Sequence, residues 1–173
     1  MNRRGFYIVP VYPGSAGIRT LAGGLRVSEQ AKPEQILILE FTLKSLDFMR
    51  AGEASSEFKQ RLKKLGFKPE LVRRAAIAAY EAEMNVIIHA RKGVMRFEIA
   101  PARLLIVVED EGPGISDIEQ AMQEGFTTAS AAIRELGFGA GMGLPNIKRC
   151  ADAMDIQSIP GQGTRLQIII NNE

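Results

Sequence analysis

The stretch from residue 69 to residue 90, PELVRRAAIAAYEAEMNVIIHA, constrains the fold more than any other part of this chain. It is rich in good helix formers, carries Pro69 where a first helical turn tolerates proline, and stops before Lys92-Gly93. Ala75, Ala76, Ala79, Met84, Ile87 and Ile88 are small or apolar, so a helix over 70–90 is expected to be well buried. Polar residues in such a helix need partners. Glu81, Asn85 and His89 stand out because their i, i+4, i+8 spacing holds them within about 80° of one another. A carboxylate and an amide one turn apart can offer oxygens to a hard cation such as Mg2+, which keeps several waters and completes its shell with phosphates. The carboxylate can also orient a water or accept a proton from a hydroxyl nucleophile. A solvent-wetted helix edge fits the same pair, and a lone histidine at a helix end commonly serves packing or capping. The helix by itself leaves both readings open.

The other elements supply cover for that helix. The chain has 173 residues, 46% of them hydrophobic, which suits one domain or one domain with a short arm. Residues 1–34 are rich in Gly, Pro and Arg without lasting periodicity and read as an arm with one short strand over 6–11. The compact domain is expected over 35–173. It opens with the strand QILILEFTL, followed by a helix over 46–65 with spacing through Phe58, Leu62 and Leu65 and a stop at Gly66. After the central helix come strands over 94–100 and 103–110, joined by a tight hairpin at Pro101-Ala102. Residues 111–143 hold many glycines and one short helical piece, SDIEQAMQEG. A helix from Leu144 to Met154, the strand IQSI, a turn over 160–163 and the strand TRLQIII close the chain. Helices grouped with a mostly antiparallel, mixed sheet predict an α+β fold, a two-layer sandwich with the helices on one face.

Two glycine-rich loops carry chemistry. VVEDEGPGI places Asp110 at the end of an apolar strand, ahead of Gly112 and Gly114. A carboxylate there can accept a hydrogen bond from an exocyclic amine such as that of adenine, and the glycines let backbone approach a flat ring. An acidic turn after a strand is the plainer reading. ELGFGAGMGLPNIKR places Gly137, Gly139, Gly141 and Gly143 at alternate positions before a helix, so unobstructed amides and a helix N-terminus can cradle phosphate. It matches neither G-x-G-x-x-G after an early strand nor G-x-x-x-x-G-K-[ST]. The roughly 20 residues between the loops, with Gly125-Phe126-Thr127-Thr128, suit a lid.

In this order the pieces resemble the Bergerat (GHKL) ATP-binding superfamily of DNA gyrase, MutL and histidine kinases, over roughly residues 35–172. EAEMNVIIH is similar to its N box, DEGPG to its first glycine box, GFGAGMGL to its second, and Gly163-Thr164 to the Gly-Thr of its final strand. The chain looks most like the small anti-sigma-factor serine/threonine kinases of the RsbW, SpoIIAB and RsbT group, with GLPNIKRCAD closest to RsbT-like forms. The resemblance implies Glu81 as catalytic base, Asn85 as Mg2+ ligand and His89 within the nucleotide site. It implies Asp110 on the adenine amine with Gly112 and Gly114 shaping that pocket. Gly139, Gly141, Gly143 and Leu144 would wrap the phosphates, and Thr164 would lie near the adenine. It further implies ATP and Mg2+ as cofactors and a STAS-domain anti-anti-sigma protein as phosphorylated partner, with a sigma factor or phosphatase as further partners and a homodimer as the leaning for assembly. The alternative is an ATP-dependent binding switch that sequesters a sigma factor or activates a phosphatase without turnover, using the arm and the first helix.

Other classes fit less well. With 22 basic and 20 acidic residues, a net charge of +2 does not point to nucleic acid or an anionic membrane. No run approaches the ~20 apolar residues of a membrane span. Pro10 interrupts the apolar stretch after Arg3-Arg4, so no targeting segment is expected. The single cysteine, Cys150, excludes an internal disulfide, suits a cytoplasmic setting and reads as core packing. Asp152 and Asp155 are expected to face solvent, as are Lys63-Lys64 and Arg73-Arg74. A detached histidine-kinase domain would need a phosphoacceptor histidine, yet the one histidine, His89, sits in the nucleotide-site helix. Gyrase-type hydrolysis would need length for a transducer domain.

Overall fold

The computed structural model describes residues 5–11, 18–20, 26–28 and 34–173. Six strands form one sheet in the order β1-β4-β5-β6-β8-β7: β1 (Gly5–Val11), β4 (Glu34–Lys44), β5 (Lys92–Ile99), β6 (Arg103–Glu111), β8 (Gly163–Asn171) and β7 (Ala153–Ile159). A separate two-stranded pair joins β2 (Ile18–Thr20) to β3 (Arg26–Ser28). The stretch 1–34, expected to hold one short strand, thus contributes β1, β2 and β3, and β1 runs along β4 from Gly5↔Glu40 to Val11↔Glu34. Helices α1 (Glu53–Lys64), α2 (Pro69–His89) and α5 (Gly143–Cys150) pack on the sheet through one core.

The layering is the expected α+β sandwich, but every ladder among the described strands is antiparallel rather than mixed. The reason lies in the crossover. Two helices separate β4 from β5, α1 running out and α2 back, so β5 starts beside the end of β4 with Lys92 opposite Lys44. Alternation along the strands then sends Leu39, Phe41 and Leu43, Met95, Phe97 and Ile99, and Leu104, Ile106 and Val108 to one buried face. Phe97 is fully buried, stacks on Phe58 of α1 at 4.1 Å and meets Phe41 edge-on at 5.9 Å. Ala75, Ala78, Ala79 and Ala82 keep α2 thin where it crosses this face.

Three boundaries differ from the sequence-based expectation, each for a local reason. The helix expected over 46–65 begins only at Glu53, because Leu46 (φ 56°) and Gly52 (φ 85°) take left-handed backbone that a helix cannot contain. Phe58 and Leu62 are buried as expected, whereas Leu65 is 54% exposed. The start of α1 is held by Glu83 of α2, a side chain 1% exposed. Its Oε1 accepts from the Gly52 and Ala54 amides at 3.1 and 3.2 Å, and its Oε2 from the Ser55 amide at 3.0 Å. Those are amides that a helix N-terminus leaves without internal partners.

The last helix ends at Cys150 rather than Met154. Ala151 is extended, the Asp152 amide donates to the Ile169 carbonyl at 2.9 Å, and Met154 and Ile156 take up strand alternation against the core. Asp152 is exposed but bonded, accepting from Arg74 at 2.6 Å and from the Asn171 amide at 2.7 Å. Between β6 and α5 there are two short helices where one was expected: α3 (Ile118–Ala121) and α4 (Ala131–Glu135). The second is capped by Ser130, whose Oγ accepts from the Ile133 amide at 3.4 Å. The hairpin at Pro101-Ala102 is closed by reciprocal bonds between Ala100 and Arg103.

Candidate functional site

A cavity of about 430 Å3 opens between α2, the ends of β6 and β8, and the segments around 113–128 and 137–144. Sites for small ligands commonly span ~300–1,000 Å3. Glu81, Asn85 and His89 all stand on its α2 wall, as their helical spacing requires. Val108, Ile156 and Leu166 give it an apolar base, with Ile115, Phe126 and Phe138 from the loops. Such a space suits a flat ring with polar groups at its edges.

Asp110 lines the cavity from the end of β6. Its Oδ1 accepts from the Thr164 amide at 3.3 Å. Burial pushes the Asp110 carboxyl above the ordinary aspartate value, and the Thr164 amide works against that rise. The approach depends on Gly163, whose φ of 144° is open to glycine and whose missing side chain would collide with the Asp110 carbonyl. Ser158 of β7 completes this corner. It shares a hydrogen bond with the Thr164 hydroxyl at 2.8 Å, donates to the Gly163 carbonyl at 3.1 Å, and accepts from the Ile115 amide at 2.7 Å. Ser158 thereby ties the first glycine loop to the β7–β8 turn. Gly114 lines the cavity; Gly112 does not, being buried between Asp110 and Ala90 behind the wall.

Gly139, Gly141, Gly143 and Leu144 line the opposite side. The Gly125 amide donates to the Gly141 carbonyl at 3.0 Å, which joins the segment between the loops to the second glycine loop. Phe138 stacks on Phe48, ahead of α1, at 5.1 Å. Gly143 opens α5 against Asn85: a Cβ there would stand 2.9 Å from Asn85 Oδ1, so glycine lets the amide and the helix start share one spot. His89 Nδ1 pairs with the Thr128 hydroxyl at 3.3 Å, the donor depending on the imidazole tautomer. Burial pulls His89 below the ordinary histidine value, so its ring is neutral at pH 7. On the far side of α5, burial pushes the Cys150 thiol up, and its side chain packs against the core.

Sequence reasoning missed three side chains here. Asn146 Nδ2 donates to Glu81 Oε1 at 2.6 Å, Arg149 donates to Asn146 Oδ1 at 2.8 Å, and Ser158 braces the Asp110 corner. Asn146 had a signal: it falls one turn after Gly143, on the same side of α5. Ser158 had only strand alternation within IQSI. Glu81 also borders a second space, a groove of about 700 Å3 between α1 and α2 with Lys59, Lys63 and Arg73 at its edge and Phe67, Val72 and Ile77 within.

The described residues contain no helix long and apolar enough to cross a membrane. Comparison with known proteins finds similarity to three informative relatives. The serine/threonine-protein kinase RsbT of Bacillus subtilis is 37% identical over 111 residues, covering 62% of this chain and 77% of that protein. The anti-sigma F factor of Caldanaerobacter subterraneus subsp. tengcongensis is 38% identical over 96 residues, 53% of this chain and 64% of the relative. That of Clostridium kluyveri is 34% identical over 94 residues, 51% and 63% respectively. The chain thus spans just under two thirds of these anti-sigma factors. The model of the histidine kinase-like ATPase domain matches residues 45–170, which takes in α2, both glycine loops and β8. With that match and these relatives, the chain belongs to the histidine kinase-like ATPase domain family, with RsbT and the anti-sigma F factors among its kin.

Proposed function

We propose that this chain is a protein serine/threonine kinase of the anti-sigma type, which binds MgATP in the 430 Å3 cavity and phosphorylates a hydroxyl of a STAS-domain antagonist. One observation carries the reading. Glu81 stands between the cavity and the α1–α2 groove, so a single carboxylate borders both a nucleotide-sized space and a surface open to a polypeptide. The relative named as a serine/threonine-protein kinase supports the reaction class.

In this reading Asp110 accepts from the adenine amine and the apolar base stacks on the ring. The backbone from Gly139 to Leu144 follows the phosphates with its amides. No three His, Cys, Asp or Glu side chains converge into a metal cage among the described residues, and the amide of Asn85 beside the start of α5 suits a cation that takes most of its ligands from phosphate and water. Asn85 would hold the Mg2+, whose chemistry when bound is to offset charge on the transferring phosphoryl group. Glu81 accepts the proton of the partner hydroxyl as its oxygen attacks the γ-phosphorus. The bond from that phosphorus to the β–γ bridging oxygen breaks, and ADP leaves with the bridging oxygen. A cytoplasmic setting goes with this chemistry.

The test is transfer of label from [γ-32P]ATP to a purified STAS-domain protein. Wild type is expected to label it, and Glu81→Gln to lower the rate by about 10²–10⁴-fold. Undiminished transfer by Glu81→Gln overturns the assignment.

A second reading, a binding switch set by nucleotide without turnover, draws on apolar surface around the Phe48–Phe138 stack. Met49 is 96% exposed, Leu46 57% and Leu136 64%, on the two segments that the stack joins. Tight ATP binding with no transfer to any partner, together with nucleotide-dependent capture of a sigma factor or phosphatase, is its signature.

A further inference from the structure

We infer that Asn146 is a positioning residue for Glu81, the residue that decides which carboxylate oxygen faces the partner hydroxyl; this rests on the reading of Glu81 as the base. Asn146 Nδ2 donates to Glu81 Oε1 at 2.6 Å, a short bond between residues 65 positions apart in the chain. With Oε1 engaged, Oε2 is the oxygen turned to a reacting hydroxyl. The amide itself is oriented. Arg149 NH2 donates to Asn146 Oδ1 at 2.8 Å, and a guanidinium offers only donors, so the oxygen of Asn146 must face Arg149 and its nitrogen must face Glu81. Arg149 NH1 reaches Glu124 at 3.0 Å, on the segment between the two glycine loops.

The backbone of the same residue adds a second tie. The Asn146 amide donates to the Met142 carbonyl at 2.9 Å, inside the second glycine loop. One residue therefore joins the loop assigned to the phosphates to the carboxylate assigned to the hydroxyl. A shift of that loop moves Oε1 with it, and the distance between nucleophile and phosphorus is set through a side chain rather than through packing alone. A displacement of about 1 Å in such an arrangement costs up to ~10²-fold in rate.

The experiment compares wild type, Asn146→Ala, Asn146→Asp, Glu81→Gln and the double variant Glu81→Gln/Asn146→Ala. Transfer from [γ-32P]ATP to the STAS-domain protein is measured alongside affinity for a fluorescent ATP analogue with Mg2+. Asn146→Ala is expected to lower kcat roughly 10- to 100-fold while nucleotide affinity and KM for ATP stay within about two-fold. Asn146→Asp keeps the shape but sets an oxygen against Glu81 Oε1, so it is expected to fall below Asn146→Ala. In the Glu81→Gln background the alanine change is expected to cost nothing more, since the group it orients is gone. A purely structural Asn146 gives instead additive losses and a changed nucleotide affinity, and either result overturns the inference. Full activity of Asn146→Ala, with Glu81→Gln inactive, overturns it while leaving the base in place. Activity in Glu81→Gln, or no transfer by wild type, removes the underlying reading and this inference with it.

Discussion

Glu81 and Glu83 lie two residues apart on the same helix, and α2 turns them to opposite uses. Glu83 faces α1, is almost wholly buried, and spends both oxygens on three backbone amides at 3.0–3.2 Å. Glu81 faces the cavity, is half-buried, and has Oε1 held by Asn146. Two positions on a helix are about 200° apart, which separates a carboxylate that fastens the fold from one that borders the cavity and is proposed as the base. A buried carboxylate saturated by amides is structural; one that borders a cavity with an oxygen to offer is a candidate for proton transfer.

Exchanging the two acids for neutral side chains breaks this comparison if it is wrong. Glu81→Gln is expected to lose about 10²–10⁴-fold in phosphoryl transfer with an unchanged melting temperature. Glu83→Ala leaves three amides of the α1 start without acceptors and is expected to cost about 2–4 kcal/mol. For a chain of this size that is a fall of roughly 5–15 °C in Tm by calorimetry, with activity per folded molecule retained. Loss of activity by Glu83→Ala at a temperature where it is fully folded contradicts the division.

The neighbour of Asn85 sharpens it next. Gly143→Ala puts a methyl group 2.9 Å from Asn85 Oδ1, too close for the present contact, and the amide must turn away. Transfer at limiting Mg2+ is expected to drop about ten-fold, with partial recovery as Mg2+ is raised and little change in Tm. Recovery that is absent at any Mg2+ concentration separates Asn85 from the cation.

A third acid, Asp110, extends the comparison to pH. Its folded-state value is raised above 3.8 by burial, so the free folded protein binds that proton more tightly than the unfolded chain does. Stability from this group is therefore present at low pH and declines as pH climbs from 3.8 through the raised value. A bound amine favours the carboxylate, so nucleotide affinity should rise with pH over the same window. Urea unfolding and nucleotide titration of wild type and Asp110→Asn across that range test both signs, and the variant should remove both slopes. The smallest effect belongs to Glu124→Gln. It removes an ion pair with both partners more than half exposed, and its cost in stability is expected to stay below about 1 kcal/mol.

The parts of the site carried by local sequence were readable in advance. Glu81, Asn85 and His89 share a face because helical spacing is a property of α2 alone, and the two glycine loops announce themselves by composition. What could not be read depends on distant pairings. The partners of Glu83 lie 28 to 31 positions away, and EAE within α2 gives no hint that its second acid caps another helix. Ser158 reaches Ile115 across 43 positions. The end of α5 at Cys150 is decided by Asp152 pairing with Ile169, a sheet contact invisible to helical periodicity. Gly112, which looked like part of the cavity wall, proves to fill space behind it, because a motif specifies spacing and not which glycine faces inward.

The most direct measurement is a crystal structure of the full chain with Mg2+ and a non-hydrolysable ATP analogue. The account predicts the adenine amine on Asp110, the phosphates along Gly139 to Leu144, the cation on Asn85 Oδ1, and the γ-phosphate facing Glu81. A nucleotide seated in the α1–α2 groove, or a cavity that stays empty at saturating analogue, contradicts it.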